Sequence, residues 1–251
     1  MVFDFTKASL AGQIVPTELE NIMLDATTDL KSMLKRPDLV CSQAFVGGEW
    51  VDAKSGKTFD VTNPARGDVI ATVTDLDRSE ITQAIDAAHK SQKAWAALAA
   101  KERAKVLRKW FDLLMANQED LAIIMTAEQG KPLVESRGEV AYGASFVEWF
   151  GEEAKRNYGE TIPGHMADKR ITVIKQPIGV AAAITPWNFP NAMIARKVAP
   201  ALAAGCSFVV RPASLTPLSA LAMAKLAEEA GVPKGVLSVV TSTKSSDVGK
   251  E

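Results

Sequence analysis

An α/β fold built on a parallel sheet is the class this sequence predicts, and three observations predict it. Short runs of mainly apolar residues stand at Val180–Ile184, Ser207–Val210 and Val236–Val240, the first of them wholly apolar. Helical patterns separate them, the first over Asn191–Ala204 and the second from Thr216-Pro217 to the stop at Gly231-Val232-Pro233. Continuous apolar strands alternating with helices mark a sheet covered on its faces by those helices. Right-handed crossovers then give half of a doubly wound sheet.

Composition agrees with an ordinary globular chain. The 251 residues carry 29 Lys plus Arg against 30 Asp plus Glu, a net charge of −1, with 47% apolar and 24% charged residues. At about 150 residues per domain this is one large domain or two small ones, long enough for a core that needs no disulfide or metal. A near-neutral balance lacks the cationic field that neutralises phosphates, so no nucleic-acid partner is expected. No run reaches the roughly 18 apolar residues of a membrane span. Asp4, Glu18, Glu20, Asp25 and Asp29 argue against a transit peptide. Cys41 and Cys206 fit neither a metal-ligand spacing nor a disulfide framework, which points to a reducing compartment. A cytoplasmic chain with no metal and no membrane contact is the expectation.

Along the chain, residues 1–40 form a weakly patterned leader, in which Thr17–Lys35 suits one amphipathic helix between Pro16 and Pro37. From Ala44 to Thr72, short β-type runs alternate with Gly47-Gly48, Ser55-Gly56 and Gly67-Asp68, and two or three hairpin-like strands follow from that texture. A helical block comes next. Ser79 with Thr82 and Gln83 is its starting signal, and Ile81, Ile85, Ala88, Gln92 and Trp95 recur at helical spacing. Lys101–Gln118, Leu121–Gln129 and Pro132–Tyr158 continue the pattern. Between Pro163-Gly164 and Pro177-Ile178-Gly179 the period changes to partial alternation, as in a projecting hairpin. The expected organisation is a leader (1–40), an incomplete ligand-binding domain (41–158 and 178–251) and a bridging arm (159–177).

Ligands of an open parallel sheet bind beyond the carboxyl ends of its strands. Three segments sit there: Thr185-Pro-Trp-Asn-Phe-Pro190, Arg211-Pro-Ala-Ser214 and Thr241-Ser242-Thr243. No Gly-x-Gly-x-x-Gly follows the first strand, so the ordinary dinucleotide fingerprint is absent. Asn188, in a Pro-bracketed loop, could donate its amide to a developing oxyanion. On residue chemistry alone, capping of the next helix is the stronger reading of an asparagine there. Phe189, Met193 and Arg196 fall at i, i+4 and i+7, so one helix face presents an aromatic, a thioether and a cation. A guanidinium on that face can clamp a carboxylate bidentately. Cys206, between Gly205 and Ser207, has no neighbouring base or cation to make it a nucleophile. His89 and His165 read as surface residues, and Glu148 with Glu152 as a solvated face.

Taken together, Thr185-Pro-Trp-Asn-Phe-Pro190, Arg196-Lys197-Val-Ala-Pro-Ala-Leu-Ala-Ala-Gly-Cys206, Arg211-Pro-Ala-Ser214 and Thr216-Pro217 closely resemble the aldehyde dehydrogenase superfamily. Phe45-Val-Gly-Gly-Glu-Trp50, Asn63-Pro64, Glu128-Gln-Gly-Lys-Pro132 and Phe146-Val-Glu-Trp-Phe150 match it too. Ile162-Pro-Gly-His165, Lys169-Arg170 and Lys175-Gln-Pro-Ile-Gly179 narrow the likeness to its NADP-type succinate-semialdehyde dehydrogenase branch, from about residue 42 onward.

The resemblance implies a partial doubly wound, Rossmann-like coenzyme-binding domain with the catalytic domain absent from these residues. It implies oxidation of an aldehyde, succinic semialdehyde foremost, to its acid, and a homo-oligomer for a full-length relative. Asn188 is then the oxyanion donor, and Lys197 supports the catalytic site. Phe189, Met193 and Arg196 line the substrate tunnel, Arg196 holding the remote carboxylate. Thr185, Pro186, Trp187, Arg211, Ser214 and Ser242 contact the coenzyme. Relatives that prefer NAD often carry Glu where Ser214 stands, so NADP is expected, with NAD the alternative. Relatives usually have Lys in place of Arg211 and Gly in place of Ser242, whose side chain is expected to crowd the adenine.

The family's nucleophile lies in a Gly-Gln-x-Cys motif and its hydrolytic glutamate in Glu-Leu-Gly-Gly, and neither occurs in these 251 residues. An unpaired strand, an uncovered apolar face, poor solubility and no activity of the chain alone are therefore expected. A non-catalytic nucleotide-binding or oligomerisation module is the alternative.

Overall fold

The computed structural model describes residues 29–250. The putting-together of the chain begins with two hairpins, β1 (Ala44–Val46) with β2 (Glu49–Val51), and β3 (Thr58–Thr62) with β4 (Val69–Thr74). Four helices follow: α1 (Arg78–Ala97), α2 (Ala100–Ala116), α3 (Gln118–Gln129) and α4 (Leu133–Glu153). A third hairpin, β5 (Glu160–Pro163) with β6 (Arg170–Val173), has every strand residue exposed. Then come β7 (Val180–Ile184), α5 (Ala192–Ala204), β8 (Ser207–Arg211), α6 (Pro217–Ala230), β9 (Leu237–Val239) and the short α7 (Ser245–Val248).

β7, β8 and β9 pair in parallel, as the apolar runs predict. The sheet has five strands rather than three, in the order β2-β1-β9-β8-β7. The first hairpin joins it antiparallel through Phe45 opposite Val239. The expectation of unpaired edges is thereby corrected at β9, because β1 supplies its missing ladder and buries Phe45 against the core. The outer edge of β7 has no strand beside it among the described residues.

Alternation along β8 divides the core. Phe208 and Val210 join the large cluster with Val198 and Leu202 of α5 and Leu221 and Leu226 of α6, whereas Val209 faces Ile81, Ala84 and Ala88 of α1. α2, α3 and α4 pack outside α5 and α6, with Leu107, Trp110 and Leu114 fully buried at helical spacing. Both buried indoles are satisfied, Trp95 donating to the Leu202 carbonyl at 3.0 Å and Trp110 to the Met223 carbonyl at 3.2 Å. No helix among the described residues is long and apolar enough to cross a membrane.

Local signals set the helix ends. Asp77 and Glu80 form a reciprocal capping box at α1, at 3.2 and 2.9 Å. This places the start two residues before the Ser79 signal. Gly205 and Gly231 end α5 and α6 at φ of 95° and 98°, a left-handed conformation open to glycine at little cost. The predicted helix over Pro132–Tyr158 ends at Glu153 and tightens into a 3-10 turn over Ala154–Arg156.

The Thr17–Lys35 helix lies mostly outside the described residues, and its described end is a 3-10 turn, Leu30–Met33, followed by extended Leu34. Leu30, Leu34, Leu39 and Val40 belong to the large core cluster, and Arg36 pairs with Glu229 of α6 at 2.7 Å. The stretch from residue 30 to 40 is packed against the domain, where the sequence reading put it in the leader.

Candidate functional site

The carboxyl ends of β7, β8 and β9 open on one side of the molecule, and backbone bonds tie their loops together. The Thr185 N–H donates to the Arg211 carbonyl at 3.1 Å, and Arg211 Nη2 donates to the Ser242 carbonyl at 2.8 Å. The Thr241 hydroxyl donates to the Thr74 carbonyl at 2.7 Å, and Asp75 accepts from the Thr243 backbone and hydroxyl at 2.8 Å each. Ser242 Oγ donates to the Leu76 carbonyl at 2.9 Å. Ser242 is buried, and this bond gives its hydroxyl the acceptor a buried donor needs.

Beside these loops, the sheet face that α1 covers only in part forms an open cleft of about 540 Å³. Ile81 and Ile85 of α1, Val180, Ala182 and Ile184 of β7, Val209 and Val240 line it together with the charged Arg211. Two buried polar atoms close to it have no hydrogen-bond partner among the described residues, Thr185 Oγ1 and Arg211 Nε. Arg211 is buried, with its Nη2 committed to Ser242. Burial lowers its pKa, and the charge of Asp75 opposes that. Ser214 is half-buried on the second loop.

In the first loop, Thr185 and Pro190 are buried while Pro186, Trp187, Asn188 and Phe189 are exposed. Helix capping does not account for Asn188. The cap position of α5 is Asn191, which makes no side-chain cap bond, and the first turn is served by a carboxylate from elsewhere. Glu139 of α4 accepts from the Asn191 N–H at 2.9 Å and the Ala192 N–H at 3.1 Å. Its second oxygen pairs with Lys131. Lys131 also donates to the Asn188 carbonyl at 3.1 Å, and its ammonium lies 4.4 Å from the centre of the Phe189 ring. Among the described residues, the Asn188 side chain has no hydrogen-bond partner.

α5 carries the other expected side chains. The Met193 N–H donates to the Phe189 carbonyl at 3.0 Å, so the helical register joining Phe189, Met193 and Arg196 holds. Arg196 is exposed and lies 5.7 Å from the centre of the Phe146 ring on α4. Lys197 is half-buried and donates to the Met193 carbonyl at 3.1 Å. Burial lowers its pKa, with the Arg196 charge adding to the effect.

Glu128, Lys131, Glu139 and Phe146 were not singled out by sequence reasoning. The only available signal was that Glu128, Lys131 and Phe146 stand in segments that carry the family likeness. Glu128 serves α6 as Glu139 serves α5, accepting from the Leu218 N–H at 2.7 Å, the Ser219 N–H at 2.8 Å and the Ser219 hydroxyl at 2.5 Å. The cysteines are poorly placed for attack. Cys206 is buried in the turn before β8, and burial pushes the Cys41 thiol up to about 11.

Residues 50–251 match the sequence profile of the aldehyde dehydrogenase family. The glutarate-semialdehyde dehydrogenase of Pseudomonas aeruginosa is 63% identical over 218 residues, covering 87% of this chain and 45% of its own length. The NADP(+) succinate-semialdehyde dehydrogenase of Escherichia coli is 60% identical over 218 residues, with the same coverage of 87% and 45%. A solved structure described as an Escherichia coli NADP-dependent enzyme superposes with a TM-score of 0.86 at 60% identity, over 87% of this chain and 45% of that one. The chain thus spans about half the length of the curated relatives it matches. With its parallel strands, its Trp-Asn-Phe-Pro loop and this extent of likeness, the chain belongs to the aldehyde dehydrogenase family.

Proposed function

We propose that this chain forms the coenzyme-binding and oxyanion-stabilising side of an NADP-dependent aldehyde dehydrogenase whose substrate is a short aldehyde with a carboxylate at its far end, succinic semialdehyde in the first instance. The observation that carries the reading is the Asn188 amide, exposed at the carboxyl end of β7 with no hydrogen-bond partner among the described residues. A donor kept free at that place is suited to an oxygen that gains charge during reaction.

The cleft fits a nicotinamide dinucleotide. Its volume lies within the range of small-molecule sites, and its lining is mostly apolar with one cation, Arg211, which suits a flat base and a nearby phosphate. Thr185 Oγ1 and Arg211 Nε supply unused polar capacity close by. Thr185, Pro186 and Trp187 would hold the coenzyme along the first loop, with Arg211, Ser214 and Ser242 on the second and third. When bound, the coenzyme supplies the acceptor for the hydride that the aldehyde carbon loses. Ser214 presents no carboxylate to repel a 2′-phosphate, which favours NADP over NAD. Because Arg211 holds the Ser242 carbonyl, its share in that preference is a nearby positive charge.

Arg196 would take the remote carboxylate by paired N–H donation. Phe146 stacks beside the guanidinium and steadies it. Phe189 and Met193 would shape the walls between that carboxylate and the aldehyde. Lys197, whose burial favours its neutral form, is suited to proton traffic at the end of the site.

Neither cysteine of these residues is assigned as the nucleophile, since Cys206 is buried and the Cys41 thiol is raised. Thiolate, not thiol, attacks a carbonyl. The exposed β5–β6 hairpin, with Ile162, Ile171 and Val173 facing solvent, would bridge subunits in a longer homo-oligomeric protein.

Incubating the 251-residue chain with NADP and succinic semialdehyde tests the assignment. No NADPH formation is expected. Turnover that disappears in the Cys206→Ala variant would overturn it.

A further inference from the structure

We propose that Lys131 and Glu139 act as a positioning pair that fixes the Asn188 amide from behind. This rests on the reading of Asn188 as the oxyanion donor, but its own content is geometric. The loop from Trp187 to Pro190 has to present one side chain in a set direction, and its exposed residues give it little packing of their own. Its two ends are held by a single ion pair. On one side, Glu139 Oε1 accepts both leading N–H groups of α5, from Asn191 and Ala192. On the other, Lys131 is paired with Glu139 Oε2 and donates to the carbonyl of Asn188 itself, at 3.1 Å.

The same ammonium sits 4.4 Å from the centre of the Phe189 ring, so the residue after Asn188 is held too. The side chains of Lys131 and Glu139 are only 10% and 2% exposed. Water therefore does little to weaken these charge-assisted contacts, and each lost partner leaves a buried charge.

The geometry also explains why a lysine stands at this position. One ammonium has three donors on a flexible stem, and here it reaches a carboxylate, a carbonyl and an aromatic face together. A carbonyl held from behind restricts the peptide plane at Asn188, and through it the direction of the Cα–Cβ bond. Asn191 completes the packing. It is buried against Gly143 of α4, where a Cβ would stand 2.3 Å from Asn191 Oδ1. The start of α5 is thereby seated hard against α4, and the distance from Glu139 to the loop is fixed.

The pair is tested on the 251-residue chain by following the side-chain NH₂ resonances of Asn188, assigned by their loss in Asn188→Ala. Hydrogen exchange of the peptide covering residues 187–193 is measured alongside. Lys131→Met keeps the aliphatic stem and removes the charge. It is expected to shift and broaden the Asn188 signals and to speed exchange of that peptide about tenfold, the scale of one lost charge-assisted bond. The side-chain signals of Gln92, which donates to the Gly205 carbonyl at the far end of α5, stay in place, and Lys131→Arg restores much of the native pattern.

Glu139→Gln keeps an acceptor for the helix N–H groups and removes the ion pair. It is expected to reproduce the Asn188 shift, and it serves in place of Lys131→Met should that variant not fold. Asn188 signals unchanged in Lys131→Met or in Glu139→Gln would overturn the proposal. So would an equal disturbance at Gln92, since that reports general loosening. Failure of Asn188 as an oxyanion donor would appear as undiminished turnover when the matching asparagine of a full-length relative is changed to Ala, and would leave these resonance shifts untouched, so the two failures are distinguishable.

Discussion

Asn188 carries its proposed role on an exposed amide that nothing else in the fold uses. Asn188→Ala is therefore expected to change stability by less than about 0.5 kcal/mol, as for a surface substitution. Loss of a helix cap would cost about 1 kcal/mol. Urea unfolding of the two proteins separates these outcomes. Its place in the loop was legible because Pro186 and Pro190 bracket it; its freedom from the helix was not. That freedom depends on Glu139, which lies 52 positions away in sequence from the N–H it accepts at Asn191. Arg211 shows the same limit, since a cation after a strand reads as a ligand contact until its Ser242 acceptor is seen.

At the scale of elements, α5 and α6 share one device: each begins on a carboxylate from the α3–α4 corner. A negative charge at a helix N-terminus satisfies free N–H groups and opposes the helix dipole. Glu128 does this fully buried, and burial pushes its pKa from 4.5 up to about 7, against the pull of its hydrogen bonds. The sign follows from proton uptake. Between pH 4.5 and about 7 the folded state holds a proton that the unfolded state has lost. Stability therefore falls as pH rises through that window, by at most about 1.4 kcal/mol per pH unit from this group. Glu128→Gln is expected to remove that component, which denaturant melts near pH 5 and near pH 8 would reveal, with about pH 7 between them. The strands and helices themselves were readable from period and punctuation. Their caps were readable only where they are local, and even there the Asp77 cap lies two residues before the signal at Ser79.

Across the whole molecule, the parallel order of β7, β8 and β9 was legible in three apolar runs, whereas the antiparallel addition of β1 and β2 was not. Phe45 and Trp50 look like any hairpin residues until Val239 is found opposite Phe45. The resulting sheet ends at β2 on one side and at β7 on the other, where the cleft opens beside the strand that leads into the Trp187–Phe189 loop. The central claim is that this cleft takes a phosphorylated nicotinamide dinucleotide. Equilibrium titration of the 251-residue chain with NADPH and NADH tests it most directly, read by quenching of Trp187, which is 51% exposed, and corrected with the Trp187→Phe variant. The account predicts saturable quenching with NADPH bound roughly tenfold more tightly than NADH, the worth of one charge-assisted contact. No saturable quenching of Trp187, or tighter binding of NADH, would contradict it.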